Sequence, residues 1–342
     1  MKKTIDRREF LKLGGAALVS GLLWRNLPSH VQAAPVPAAL PASLGRIATW
    51  WRQAVRTEPA PRADLVGLKS RDEVIPIYAA VEGEAPWPTN AVWYQTDGGF
   101  IHSGYVQPVE NQPQERVVQH VAEPGFWAEV CVPFAEARWT PGSPYVARKL
   151  YYGTVYRVID TVADEEGGWW YQLKEGISPY APGPYVPSWS LRNIAPGDLA
   201  PISPGRPDKL IQISIAEQTL TCFEGETPVF QTGIGSGLWD TATPRGNFRV
   251  IYKRPTRRMQ GGEGSEEYDL PGVAFPVYFT WSGVAIHGTY WHNDYGRRHS
   301  HGCINVTNQA ARWVFRWADP VAPYDAYTQK AEPDTGTPVV VI

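Results

Sequence analysis

Cysteine is scarce in this chain of 342 residues. The three present, Cys131, Cys222 and Cys303, are too few and too odd in number for a disulfide framework, so the fold must rest on ordinary apolar cores. Cys222 sits in the alternating run Thr219–Phe223 and Cys131 lies between Val130 and Val132. Both read as small buried hydrophobes, with a Cys131–Cys222 pair left open for an oxidising compartment. Positive charge is lacking as well. The formal net charge is −2, and no basic stripe is interleaved with aromatics, which argues against a nucleic-acid partner. No apolar run has the length of a membrane span, because Leu13–Leu23 is short and rich in glycine. Glycines 233, 235 and 237 lie close together, but Trp239-Asp240 follows them rather than a helix, so a phosphate-cradling loop is not expected.

What the chain does have is turn and aromatic residues: 32 Gly, 32 Pro, 15 Trp and 17 Tyr. That mixture favours many short strands joined by turns, and with 43% apolar residues a mostly β chain of two or three domains is expected. Residues 1–33 read as a targeting segment. Arg7-Arg8-Glu9-Phe10-Leu11-Lys12 followed by the apolar run is similar to a twin-arginine export signal, with Val31-Gln32-Ala33 as the expected cleavage site. Removing that segment takes away six basic and two acidic residues, so the mature chain is acidic, about −6.

The remaining segmentation follows composition. Residues 34–62 read as a Pro/Ala-rich linker in which Ile47–Val55 can form a short amphipathic helix. Residues 63–130 and 131–196 read as two small β modules. Trp93-Tyr94-Gln95 with Tyr105-Val106 in the first is echoed by Trp170-Tyr171-Gln172 with Tyr185-Val186 in the second. The pair is similar to tandem bacterial Src-homology-3-like barrels, and most of these aromatics are expected to fill two small cores. Residues 197–208 form a Pro-rich boundary before a third domain, 209–342. There Leu210–Ile215 alternates as a strand, Leu220–Phe223 returns as a hairpin, and Val229–Ile234 makes a third strand. Phe248–Tyr252 and Ala274–Trp281 are further expected strands. The polar, glycine-rich stretch 256–272 reads as a long loop or lid. Thr307 is placed to cap a helix with Ala310, Trp313, Val314 and Trp317 on one face, ended by Pro320. Thr337–Ile342 reads as a closing strand.

The chemistry concentrates in residues 287–305. Four of the seven histidines, His287, His292, His299 and His301, lie there with Cys303. A thiol is a strong nucleophile only as thiolate, and a nearby imidazole is the usual way to generate one. Gly302 permits a tight turn that aims backbone amides at an oxyanion. Metal binding is the competing chemistry. His299, His301 and Cys303 share one face of an extended strand and, with His287, offer a full zinc ligand set, as in a zinc-dependent hydrolase.

His287-Gly288 followed by Ser300-His301-Gly302-Cys303-Ile304-Asn305, together with the upstream Thr243-Pro244-Arg245-Gly246-Asn247-Phe248, resembles the L,D-transpeptidase catalytic domain over roughly residues 207–342. The resemblance implies a β-sandwich with one short helix after the Cys loop. It also implies a peptidoglycan cross-linking enzyme that needs no metal or cofactor, and a flap over the substrate groove at 256–272. In that scheme Cys303 is the nucleophile and His287 the base, oriented by the carbonyl of Gly288. His301 is the third catalytic residue, hydrogen-bonding within the loop and raising its positive potential; amides at Gly302 and Cys303 hold the oxyanion, and Ser300 and Asn305 are supporting residues. Tyr278, Tyr290 and His299 are candidate substrate contacts, while His292 and His299 are otherwise expected at the mouth or in solvent. The implied donor is a tetrapeptide stem that loses D-alanine, and the acceptor an amine of a second stem. Water would make the enzyme a carboxypeptidase and a protein lysine would make it an anchoring enzyme. Carbapenems are expected to acylate Cys303, and the protein is expected to be a monomer. The remaining alternatives are a cysteine peptidase with another substrate and a non-catalytic wall-binding protein.

Overall fold

The computed structural model describes residues 43–174, 182–262, 264 and 267–342. The expected export signal and the start of the expected linker lie outside the described residues. The chain is mostly β, as its composition suggested, and among the described residues it has one α-helix.

Among the described residues the first strand is Ser43–Ile47, inside the expected linker. Ser43–Ile47 pairs with both Val74–Ile77 and Val106–Val109 in a three-stranded antiparallel sheet. Gln53–Arg56 belongs to a five-stranded sheet with Leu65–Lys69, Gly99–His102, Asn90–Thr96 and Ala79–Trp87. The helix expected over Ile47–Val55 is therefore absent. Ile47 and Val55 are buried at the ends of two strands, and Trp50 and Trp51 stand exposed on the turn between them. Spacings of three, four and eight residues arise here from a strand–turn–strand corner instead of a helix face.

The second region starts earlier than expected. Phe126–Val130 pairs with Val155–Ala163 and Leu191–Asn193, in a sheet completed by Trp169–Lys174 and Pro182–Pro187. The aromatic echo is present but shifted. Trp93-Tyr94 and Trp170-Tyr171 occupy comparable hairpin strands, and each region then runs through a short 3-10 turn, Ser103–Tyr105 or Ser188–Ser190, into its last strand. The counterpart of Tyr105-Val106 is thus Ser190-Leu191, because Tyr185-Val186 lies within the hairpin. The Pro-rich boundary is packed instead of free. Leu199 is buried in the core of the third region, and Ile202 N–H donates to Arg316 O.

That third region holds two five-stranded sheets. One runs Thr227–Gly233, Thr219–Glu224, Lys209–Ser214, Pro338–Val341, Gly246–Arg249, with Pro338–Val341 parallel to Lys209–Ser214. The other runs Ile304–Val306, Ala285–Gly288, Val277–Tyr278, Tyr252–Lys253, Gln329–Lys330. Alternating residues Ile211, Ile213, Leu220 and Cys222 face Val277, Ile286, Ile304 and Val306 across a shared core. Phe248–Tyr252 is not one strand, since its two ends join different sheets, and the run Ala274–Trp281 is broken by Phe275 at φ +53°. The expected lid is a hairpin in which Thr256–Gly261 pairs with Tyr268–Ala274. The helix, Asn308–Trp317, starts where expected: Thr307 Oγ1 accepts from the Ala310 N–H at 3.1 Å. Its buried C-terminal carbonyls are met by lysines, with Lys209 Nζ donating to Trp317 O and Lys253 Nζ to Phe315 O and Ala318 O.

Candidate active site

The site is built on the parallel pair Ala285–Gly288 and Ile304–Val306, in which Ile286 faces Ile304 and His287 faces Asn305. Side chains alternate along a strand, so His287, Asn305 and, one residue before its strand, Cys303 project to the same face. His287 and Cys303 are then diagonal neighbours on that face, roughly 7–8 Å apart at the backbone.

His287 is buried, and its Nδ1 lies 3.0 Å from Gly288 O. Nδ1 therefore carries the hydrogen in the neutral ring, and Nε2 is left as the base. Burial pulls the imidazole down to about 4, against the smaller opposing effect of the Gly288 carbonyl. Burial likewise pushes the Cys303 thiol up, only partly offset by the Ala285 backbone N–H facing the sulfur. The resting pair is a neutral thiol and a neutral imidazole. The thiol itself points toward Gly283 O, 3.8 Å away. Gly288 also makes room for the helix. A Cβ there would sit 2.1 Å from Asn308 Oδ1, so only glycine lets the helix start pack against the histidine strand.

The cysteine loop is fixed from two sides. Gly302, at φ +114°, takes a left-handed turn that favours glycine. Its carbonyl accepts from Thr243 Oγ1 at 2.8 Å, and Thr243 Oγ1 in turn accepts from Gly237 N–H. This is the physical use of the Thr-Pro segment. The glycines at 235 and 237 bring their own backbone against the loop: Gly235 and Asn305 exchange two main-chain bonds of 2.9 Å, and Leu238 N–H donates to Ser300 O. Ser300 Oγ donates to Cys303 O and accepts from Gly302 N–H. The expected oxyanion role of the Gly302 amide is therefore corrected. Its hydrogen is committed to Ser300, so of the two expected amides only that of Cys303 keeps the role.

The substrate candidates separate. Tyr278 is largely buried and stacked on Tyr252 at 4.3 Å, and Cys303 is among the groups whose charge acts on it. Tyr290 is excluded from the groove, because it is buried against Tyr151, Val273 and Trp291. His299 does not line a mouth either. Its Nε2 lies 2.7 Å from Asp294 Oδ2, and its ring stacks on the buried His292 at 4.4 Å. The zinc ligand set does not converge, since His299 turns to Asp294 while exposed His301 lies against the Tyr268 ring. Tyr268, on the hairpin, also feels Cys303 electrostatically. It had no sequence signal, because its stretch gave no strand pattern. Asp294 was missed because nothing in its local pattern marks it as buried, and its donor Trp87 lies about two hundred residues upstream.

Residues 208–341 match the family model described as the YkuD L,D-transpeptidase catalytic domain. No curated protein matches the chain. Three solved structures illustrate its likenesses. A Cys-to-Ser mutant of an Enterococcus faecium L,D-transpeptidase is 28% identical over 40% of this chain and 50% of that one, with a TM-score of 0.32. For Mycobacterium tuberculosis L,D-transpeptidase 1 the values are 27%, 40%, 61% and 0.29. For a Mycobacterium smegmatis L,D-transpeptidase they are 19%, 73%, 90% and 0.33. The chain spans about half the length of the enterococcal protein.

Proposed function

We propose, from the match of residues 208–341 to the L,D-transpeptidase catalytic-domain model, that the chain is a peptidoglycan L,D-transpeptidase working by cysteine acyl transfer. The observation that carries the reading is the locked ring of His287. With Nδ1 donating to Gly288 O, Nε2 is a free base on the strand face shared with Cys303.

Because both groups rest neutral, proton transfer accompanies attack instead of preceding it. Cys303 Sγ bonds to the carbonyl carbon of the diamino acid in a tetrapeptide stem while its proton passes to His287 Nε2. The developing oxyanion meets the Cys303 N–H. Collapse breaks the peptide bond, and D-alanine leaves with the proton from His287. The thioester is then attacked by the side-chain amine of a second stem, whose proton returns through His287, and the thiol is regenerated as the new amide forms. Tyr268, on the hairpin and half-buried, is the substrate-facing aromatic of this reading. Export by the twin-arginine route is part of this reading and is supported by the basic, apolar start of the chain.

Intact mass spectrometry of the mature protein with a carbapenem is the test, run beside Cys303→Ala and with metal content measured. An adduct on the wild type alone supports the reading. No adduct together with one equivalent of zinc, or stem cross-linking retained by Cys303→Ala, overturns it.

A further inference from the structure

Residues 289–299 connect the histidine strand to the cysteine loop, and the N-terminal sheets grip this connection. Asn293 N–H donates to Gly104 O, and Asn293 Nδ2 donates to Tyr94 Oη and Ser103 O. Trp87 Nε1–H donates to Asp294 Oδ1 at 3.0 Å, and the Arg297 guanidinium lies 4.3 Å over the Trp87 ring. Asp294 is 3% exposed. Its other carboxylate oxygen meets His299 Nε2 at 2.7 Å and Arg297 Nε at 3.2 Å. A buried carboxylate is held in place only by such donors, and one of them comes from the N-terminal region.

From Asp294 the contacts continue to the catalytic strand. The Asp294 N–H donates to His292 Nδ1 at 3.2 Å. His292 is buried and held well below its ordinary value, first by that burial and then by His299 and His287 nearby, so the ring is neutral and Nε2 carries its hydrogen. Nε2 is 3.0 Å from the Asn305 side-chain amide, which must turn its oxygen toward this donor. The amide N–H₂ then takes the buried position that has no protein partner among the described residues. Asn305 is two residues from Cys303 and directly opposite His287. A continuous set of hydrogen bonds thus runs from Trp87 through Asp294 and His292 to the strand that presents the nucleophile.

We infer that Asp294 is a positioning residue, and that the seating of Trp87 on it couples the N-terminal sheets to the reactivity of Cys303. The inference rests on Cys303 being the nucleophile of the proposed reaction. It assigns the N-terminal region a part in turnover: when Trp87 leaves, the buried carboxylate loses a donor, and the connection shifts toward solvent with His292 and Asn305. Catalysis is therefore fastest when that region is docked.

The test uses the mature full-length chain as wild type, Trp87→Phe, Trp87→His, Asp294→Asn and the Trp87→Phe/Asp294→Asn double variant. Two readouts are taken: the rate of Cys303 alkylation by iodoacetamide, followed by peptide mass spectrometry, and kcat and KM on a stem peptide. Trp87→Phe is expected to lower alkylation and kcat by about tenfold, one lost hydrogen bond to a charged group, with KM held within about twofold. Trp87→His keeps a ring N–H and recovers part of the loss. The double variant is expected to be no slower than Asp294→Asn, since both remove the same coupling. Wild-type rates in Trp87→Phe, no recovery in Trp87→His, or losses that multiply in the double variant overturn the inference. Failure of the wild type to turn over stem peptide sinks the transpeptidase reading, and the alkylation series still decides the coupling.

Discussion

The depressed imidazole of His287 makes a sharp prediction about acid. The base must be neutral to accept the thiol proton, so activity falls as pH drops through its pKa. Burial sets that value at about 4, where an ordinary histidine would sit at 6.5. At pH 5.5 the free enzyme keeps about 97% of the neutral base if the value is 4, and only about 9% if it is 6.5. The assay is the pseudo-first-order rate of Cys303 acylation by a carbapenem between pH 4.5 and 8, with circular dichroism at each pH to follow the fold. The same displacement gives a stability term of the same sign. Between 6.5 and about 4 the unfolded chain binds the proton and the native chain does not, so stability is complete above 6.5 and falls with acid, by as much as about 3 kcal/mol. A flat acylation rate down to pH 5.5 is expected. A half-point near 6.5 with the fold intact would refute the argument that burial, and not ion pairing with a thiolate, sets the resting state.

Three further outcomes follow from packing. Gly288→Ala pushes a methyl to 2.1 Å from Asn308 Oδ1, and overpacking of this kind costs about 1–3 kcal/mol, which is read as a lower denaturant midpoint. Thr243→Val leaves Gly302 O and Gly237 N–H without their partner; a loss of about 1–3 kcal/mol and a fall in kcat larger than any rise in KM are expected. Arg46→Met removes a buried cation that reaches Asp72, Gln107 and the carbonyl of Tyr290. That change is expected to cost about 3–5 kcal/mol and to expose residues 43–109 to limited protease digestion before the catalytic region is cut.

The parts of the fold that sequence reasoning reached are those whose causes are local. Thr307 caps its helix with its own hydroxyl, Leu210–Ile215 alternates because one face meets the core, and Gly288 stands on, and Cys303 just before, a short parallel pair. What escaped it depends on partners far along the chain. The hairpin 256–274 has no alternation, because both faces of a two-stranded ribbon are half-covered, so its glycines and charges read as a loop. Trp50 and Trp51 gave Ile47–Val55 a helical look that a turn explains better. His292 and His299 read as solvated because their burial comes from Asp294, and Asp294 is held by Trp87, about two hundred residues upstream. Tyr290 was a reasonable substrate contact by position alone. Its ring instead lies on Tyr151 at 5.1 Å, a contact made by the second region.

The neutral state of Cys303 also bears on how long the enzyme lasts. Peroxides attack thiolates, and the first product, a sulfenic acid, is rescued only by a second thiol or lost to further oxidation. Cys131 and Cys222 are buried in separate cores and free, so neither is poised as a resolving thiol. A nucleophile stored as a thiol between Gly283 O and the Ala285 N–H offers peroxide little to attack between turnovers. The chain therefore gains chemical durability from the same burial that makes it wait for substrate before releasing its proton.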